Sequence, residues 1–292
     1  MNPAMRLHRL LFTVSVTVIW RLFVLRDRLL RRIGRDDAPE QPALRYSIPS
    51  GNERLDAVFV RPAEGSTKAA LLICHGIGEI VDHWLPVQKL LAGYGVALLV
   101  FDYAGYGKST GFVDWSQCEL DAVAAFELLT KLVPGVPVSM LGFSMGSGIS
   151  AAILPRVAAD RLILCSAFTS FREAACALGL PRALSSVVPP IWDGRESLSG
   201  CANRVLIVHC EQDRVFPVRM ASELASWCGP GVEVVMVPNQ EHNEPFYRPQ
   251  WSYWKQIISR MGTDEVIAQG SSQTGDDNQK AKNRSRRPDL TA

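Results

Sequence analysis

Between residues 44 and 262 the chain repeats one pattern, in which short apolar or β-branched runs alternate with segments of helix length. The runs are Leu44–Ile48, Asp56–Arg61, Ala69–Cys74, Val96–Asp102, Pro137–Gly142, Arg161–Ser166, Arg204–His209 and Val232–Val237. Such runs read as buried strands. Helix-length segments follow most of the later ones: Trp84–Ala92, Gln117–Leu132, Ser147–Ala158 and Arg219–Trp227. Strands that alternate with helices specify a mostly parallel sheet covered on both faces. The first two runs have no helix between them, which predicts an antiparallel hairpin at one edge. The expected fold class is therefore α/β, with a mostly parallel eight-stranded sheet.

Composition narrows the function classes. The chain has 292 residues and a formal net charge of +2, with 47% apolar and 21% charged residues. That is ordinary for a globular protein, and no strong overall field draws it to nucleic acid. The seven cysteines form no CxxC pair, so metal or redox spacing is absent and no metal or organic cofactor is expected.

The ends differ from the middle. Residues 10–25, LLFTVSVTVIWRLFVL, are apolar apart from Arg21 and have basic flanks, with Arg26, Arg28, Arg31, Arg32 and Arg35 on the far side. The unbroken apolar stretch is shorter than the about 20 residues of a full span. Arginines stand where a cleavage site would be needed for a secretory signal. Residues 1–35 therefore read as an N-terminal membrane anchor or interfacial helix, with a packed helix or cleaved signal as the bland alternative. The larger basic cluster, Arg26 to Arg35 on the far side of this segment, would keep the main domain, residues 44–262, on the cytoplasmic side of a membrane. The tail 268–292 is almost devoid of apolar residues and is expected to be disordered.

One short stretch carries chemistry. Gly142-Phe143-Ser144-Met145-Gly146 follows the strand-like run Val138–Leu141 and precedes a helix-compatible run. In a sharp strand-to-helix turn the central serine projects at the carboxyl end of the sheet, and glycines on either side avoid collision with neighbouring backbone. A serine hydroxyl needs a base. Of the five histidines, His242 lies in a polar loop, Pro238–Asn243, directly after the last strand, where nothing in the packing calls for a histidine. Asp213 falls after the strand-like run Arg204–His209 and supplies an orienting carboxylate, with Glu211 as its rival. The chain order Ser144, Asp213, His242 fits serine hydrolysis on an α/β sheet. His75-Gly76-Ile77-Gly78 ends the third strand, and there the backbone N–H of Ile77, with that of Met145, forms a candidate oxyanion hole.

These motifs occur in one order: His75-Gly76, Phe101 through Ser109, the Gly142–Gly146 turn, His209 through Pro217, and Glu241-His242-Asn243. Together they resemble α/β-hydrolase-fold serine hydrolases, and within them the serine aminopeptidase-like group, which includes membrane-bound protein depalmitoylases. The resemblance covers about residues 45–262. It implies the α/β-hydrolase fold, with Ser144 as nucleophile, Asp213 as acid and His242 as base. The chain departs from the family at Ala104, where Arg or Pro is usual, and at Cys210, where Gly is usual. It also has no cysteine before Cys74, so acylated N-terminal cysteines cannot hold it to a membrane. The glycine run Phe101–Ser109 lacks the lysine spacing of a phosphate-binding loop.

In this fold a cap between the sixth and seventh strands shapes specificity. Here it runs from about residue 168 to 203 and is small, with Phe168 and Trp192 as candidate substrate-binding residues. The sequence points to a membrane-associated serine hydrolase that cleaves a small-molecule carboxylic ester or thioester through an acyl-enzyme. Two alternatives stay open: an aminopeptidase-like serine peptidase using Glu173, Asp193 or Glu196 to hold an amine, and a non-catalytic binding protein on the same fold.

Overall fold

The computed structural model describes residues 43–62, 67–201 and 204–261. The expected N-terminal anchor and the expected disordered tail lie outside the described residues. Among the described residues no helix is long and apolar enough to cross a membrane.

Eight strands form one sheet. They are β1 (Ala43–Ser50), β2 (Glu53–Val60), β3 (Ala69–Cys74), β4 (Val96–Phe101), β5 (Val138–Phe143), β6 (Leu162–Cys165), β7 (Val205–Cys210) and β8 (Glu233–Val237). Their spatial order is β1-β2-β4-β3-β5-β6-β7-β8. Only the β1–β2 and β2–β4 pairs are antiparallel, so the expected hairpin edge is present and the rest of the sheet is parallel.

Helices α1 (Val81–Ala92), α2 (Trp115–Leu132), α3 (Met145–Ile153), α6 (Arg219–Cys228) and α8 (Trp251–Ile258) cover the two faces. Strand side chains alternate between the faces. In β3, Ala70, Leu72 and Cys74 join the core under α2, α3 and α6, whereas Ala69, Leu71 and Ile73 join the core under α1 and α8. Burial on both faces explains why the central strands read as unbroken apolar runs. The helix after the serine is shorter than the expected Ser147–Ala158. It ends at Ile153 and passes into a 3-10 turn, Leu154–Arg156, because Pro155 cannot continue an α-helix.

Short elements complete the described chain. The cap holds α4 (Phe171–Ala177), a 3-10 turn at Arg182–Val187 and α5 (Gly194–Ser197), and α7 (Glu244–Tyr247) follows the loop of His242. Trp115, Phe171 and Trp192 pin the cap to α2 with ring centroids 4.5–5.3 Å apart.

Candidate active site

Strand register brings the candidate residues to one rim. Cys74 of β3 pairs with Gly142 of β5. Ile77 and Met145 each stand three residues beyond that pair, so the two expected amide donors leave adjacent strand ends at the same level. Cys210 of β7 pairs with Val237 of β8, and Asp213 and His242 follow those two positions. The carboxyl ends of β3, β5, β7 and β8 thus supply every member of the set. Ligands bind at this rim in open α/β sheets.

The turn at Ser144 is strained. Its φ is 52° and ψ −118°, a region that a non-glycine residue occupies at a cost of roughly 1–3 kcal/mol. Surrounding contacts hold it there. Ser144 N–H donates to Cys165 O at 3.1 Å, and its carbonyl accepts from Ser147 N–H and from Ser147 Oγ at 3.0 and 2.6 Å. A Cβ on Gly146 would overlap the carbonyl oxygen of Cys74. The start of α3 can therefore seat against the end of β3 only with glycine at 146. Met145 N–H lies in the first turn of α3, where backbone donors have no intrahelical partner.

His242 and Asp213 form a direct pair. His242 Nδ1 donates to Asp213 Oδ2 at 2.7 Å, and the Asp213 side chain is fully shielded from solvent. Asp213 Oδ1 accepts the amides of Val215 and Phe216, both at 2.8 Å. Burial alone would raise the carboxyl, but the His242 hydrogen bond and charge and the two amides outweigh it and hold Asp213 below the usual carboxylate range. The His242 ring is bracketed by Phe143 at 5.2 Å and Phe216 at 5.4 Å. Phe143 immediately precedes Ser144, so one aromatic ring links the His242 imidazole to the backbone of Ser144. No hydrogen bond joins Ser144 Oγ to His242 among the described residues. Such contacts are often long in free enzymes and tighten with substrate.

The rival acid is placed elsewhere. Glu211 is exposed and its backbone N–H pairs with Val237 O. His209, expected to be structural, is buried, and its Nε2 donates to Phe216 O at 3.0 Å. That bond steadies the Asp213 loop, and burial lowers the imidazole pKa so that it stays neutral.

The turn after β3 is closed by Glu79 N–H to Gly76 O at 3.4 Å, with Gly78 at φ +76°. Glycine is favoured at that third position of a turn. Gly76 O also accepts from His75 Nδ1 at 2.9 Å. Burial lowers the His75 pKa to about 4, which keeps the ring neutral, and the ring packs between Tyr103 and Tyr106. Its Nε2 stands 3.7 Å from Asp102 Oδ1. Burial also lifts Asp102 and Glu79 to about 7. A Glu four residues past a His looks like loop charge until its burial is known.

The departure at Ala104 falls on buried backbone that is already fixed, because its N–H donates to Asp121 Oδ2 at 2.8 Å. Cys210 is likewise buried in β7. Of the two candidate substrate residues, Phe168 lies 5.5 Å from Phe216 and so reaches the His242 side of the rim. Trp192 is 4% exposed, its ring is held by Trp115 and Phe171, and its Nε1 donates to Glu119 Oε1 at 3.1 Å. Its contacts are those of a cap anchor. Among the described residues no group of three or more His, Cys, Asp or Glu side chains is placed to hold a metal.

The strained serine between β5 and α3, followed by an acid after β7 and a histidine after β8, on this sheet decides the fold. The chain has the α/β-hydrolase fold. A family model for the serine aminopeptidases, S33, matches residues 65–199 of this α/β-hydrolase. An uncharacterised protein of Mycobacterium tuberculosis is 25% identical over 258 residues, covering 83% of this chain and 88% of that protein. Lysophosphatidylserine lipase ABHD12 of Macaca fascicularis is 27% identical over 233 residues, covering 70% of this α/β-hydrolase and 58% of the lipase. The Pyrococcus furiosus esterase Pf2001 superposes with a TM-score of 0.58 at 20% identity, covering 78% of this chain and 93% of the esterase.

Proposed function

We propose that this α/β-hydrolase is a serine hydrolase that cleaves a carboxylic ester through an acyl-enzyme. The observation that carries the reading is the 2.7 Å bond from His242 to the buried Asp213, with the imidazole packed on the residue before Ser144. In this scheme Ser144 Oγ attacks the ester carbonyl as His242 Nε2 takes its proton. Asp213 fixes the Nδ1–H tautomer and stabilises the imidazolium. The amides of Ile77 and Met145 meet the charge on the carbonyl oxygen. His242 returns the proton to the leaving alkoxide and then activates the water that releases the acid.

Ester chemistry is favoured by likeness to a lysophosphatidylserine lipase. The peptidase alternative has less support, because Glu173 is committed to Arg182 and Arg219 and Asp193 caps α5. The same machinery would accept a thioester, so substrate choice is tested directly. A series of p-nitrophenyl esters of rising chain length, run beside acyl-CoAs, is expected to favour the esters. A fluorophosphonate should label the wild-type protein and not Ser144→Ala. Equal labelling of both proteins would end the proposal.

A further inference from the structure

We infer that Glu79 is a positioning residue for the oxyanion hole: its carboxylate anchors the Gly76 N–H, and its backbone N–H, with His75 Nδ1, holds the Gly76 O of the peptide that carries the Ile77 N–H. The inference rests on the serine-hydrolase reading above and assigns a role that reading leaves unfilled.

The geometry is local and closed. Glu79 is 4% exposed, yet it is an acid with no cationic partner among its described contacts. Its Oε2 accepts the N–H of Gly76 at 2.8 Å and the indole N–H of Trp84 at 3.0 Å. Its own backbone N–H donates to Gly76 O at 3.4 Å, and His75 Nδ1 donates to the same oxygen at 2.9 Å. Both polar groups of Gly76 are therefore tied down.

The second tie sets the direction of the candidate catalytic donor. In a trans peptide the C=O and the following N–H point in opposite directions. With Gly76 O held on the His75 and Glu79 side, the Ile77 N–H must point the other way, and it makes no hydrogen bond to the protein among the described residues. A flip of the Gly76–Ile77 peptide would present a carbonyl oxygen to the developing negative charge. Glycine at 76 has no side chain to resist that flip. A Cβ there would sit 3.2 Å from the Phe143 ring and 3.3 Å from Glu79 Oε2, in contact tighter than normal.

Trp84 extends the brace. Its ring packs on Phe143 at 5.9 Å and on Phe246 at 4.8 Å. Phe143 touches His242 and precedes Ser144. One carboxylate oxygen thus ties the oxyanion turn to the aromatic group beneath nucleophile and base. A buried carboxylate is costly to hold unless it is well hydrogen-bonded. A neutral side chain would fill the space more cheaply if packing were its only task.

The test separates positioning from packing. With p-nitrophenyl butyrate, Glu79→Ala removes the anchor on Gly76 N–H but not the two ties on Gly76 O, and is expected to lower kcat by up to about 100-fold, the effect of losing an oxyanion donor, while KM stays near its wild-type value. Affinity for a short-chain trifluoromethyl ketone, whose hydrate-like adduct carries the oxyanion, should fall by a similar factor. Glu79→Gln keeps a neutral acceptor for Gly76 and Trp84 and should recover much of the activity, remaining about tenfold below wild type. A cooperative thermal transition shows that each variant is folded. If Glu79→Ala does not fold, Glu79→Gln decides alone. Wild-type kcat and ketone affinity in Glu79→Gln, or a change confined to KM, would overturn the inference. Fluorophosphonate labelling of Ser144 would stand in either case, so failure here is distinct from failure of the serine-hydrolase reading.

Discussion

Asp213 divides its two oxygens between two tasks. Oδ2 receives His242 Nδ1 at 2.7 Å, and Oδ1 closes a turn on the amides of Val215 and Phe216. Under the proposed mechanism the division separates catalysis from stability. In Asp213→Asn the side-chain oxygen still caps the turn, so the melting temperature should change little. The amide nitrogen then faces Nδ1 and imposes the wrong imidazole tautomer. kcat should fall about 10⁴-fold. Thermal melts beside steady-state kinetics check both halves.

Glycine 146 should tolerate no side chain. An added Cβ would overlap the Cys74 carbonyl oxygen, which is backbone and cannot rotate away. Gly146→Ala is expected to cost about 3 kcal/mol or more. Gly135 makes the control. It has φ +78° but nothing within 4 Å of an added Cβ, so Gly135→Ala should cost only the left-handed penalty of about 1–2 kcal/mol. Denaturant titration of the two variants measures the difference.

Trp192 should report on stability and not on substrate affinity. Its ring is enclosed by Trp115 and Phe171 and its indole N–H is spent on Glu119. Trp192→Ala should lose about 3–5 kcal/mol, and Trp192→Phe should lose less and keep the wild-type KM. A raised KM in a normally stable Trp192→Phe would make it a substrate contact after all.

Glu79 should make stability depend on pH. Its folded pKa is raised to about 7 from an ordinary 4.5. Between these values the folded state holds a proton that the unfolded state has released, so the stabilisation is full below about 4.5 and is lost as pH rises through 7. The Glu79→Gln variant lacks that dependence. Its melting temperature relative to wild type should therefore improve from pH 4.5 to 8, by an equivalent of up to about 3 kcal/mol. Melts of the two proteins at several pH values check the slope. Because Asp102 and His75 remain in both proteins, their own titrations largely cancel in the difference.

The strands were legible because they are buried on both faces. Ala69–Cys74 and Val205–Cys210 are continuous apolar runs, and their observed limits fall within a residue or so of those read from the sequence. The hairpin edge was legible from the missing helix between β1 and β2. The placement of Ser144, Asp213 and His242 was legible because each lies within a few residues of a strand's carboxyl end, and register carries those ends to one rim. What stayed hidden depends on long-range packing. Nothing local marks Glu79 as buried, since its neighbours are a glycine and a half-buried isoleucine. Nor does the sequence say that Phe143 and Phe216 bracket the imidazole, because that contact joins positions from three different strand ends. The setting of Trp192 is hidden for the same reason, as its ring neighbours come from α2 and α4.

The order in which β5, β7 and β8 occur along the chain has a consequence for the protein while it is being made. Synthesis runs from the amino terminus, and β5 with its serine emerges some hundred residues before the loop of His242. Until β8 has docked at the end of the sheet, the hydroxyl has no acceptor for its proton, and a nascent chain on the ribosome carries an inert alcohol. Under the proposed mechanism hydrolytic competence switches on with β8, so the gain of activity during refolding would time that step of assembly.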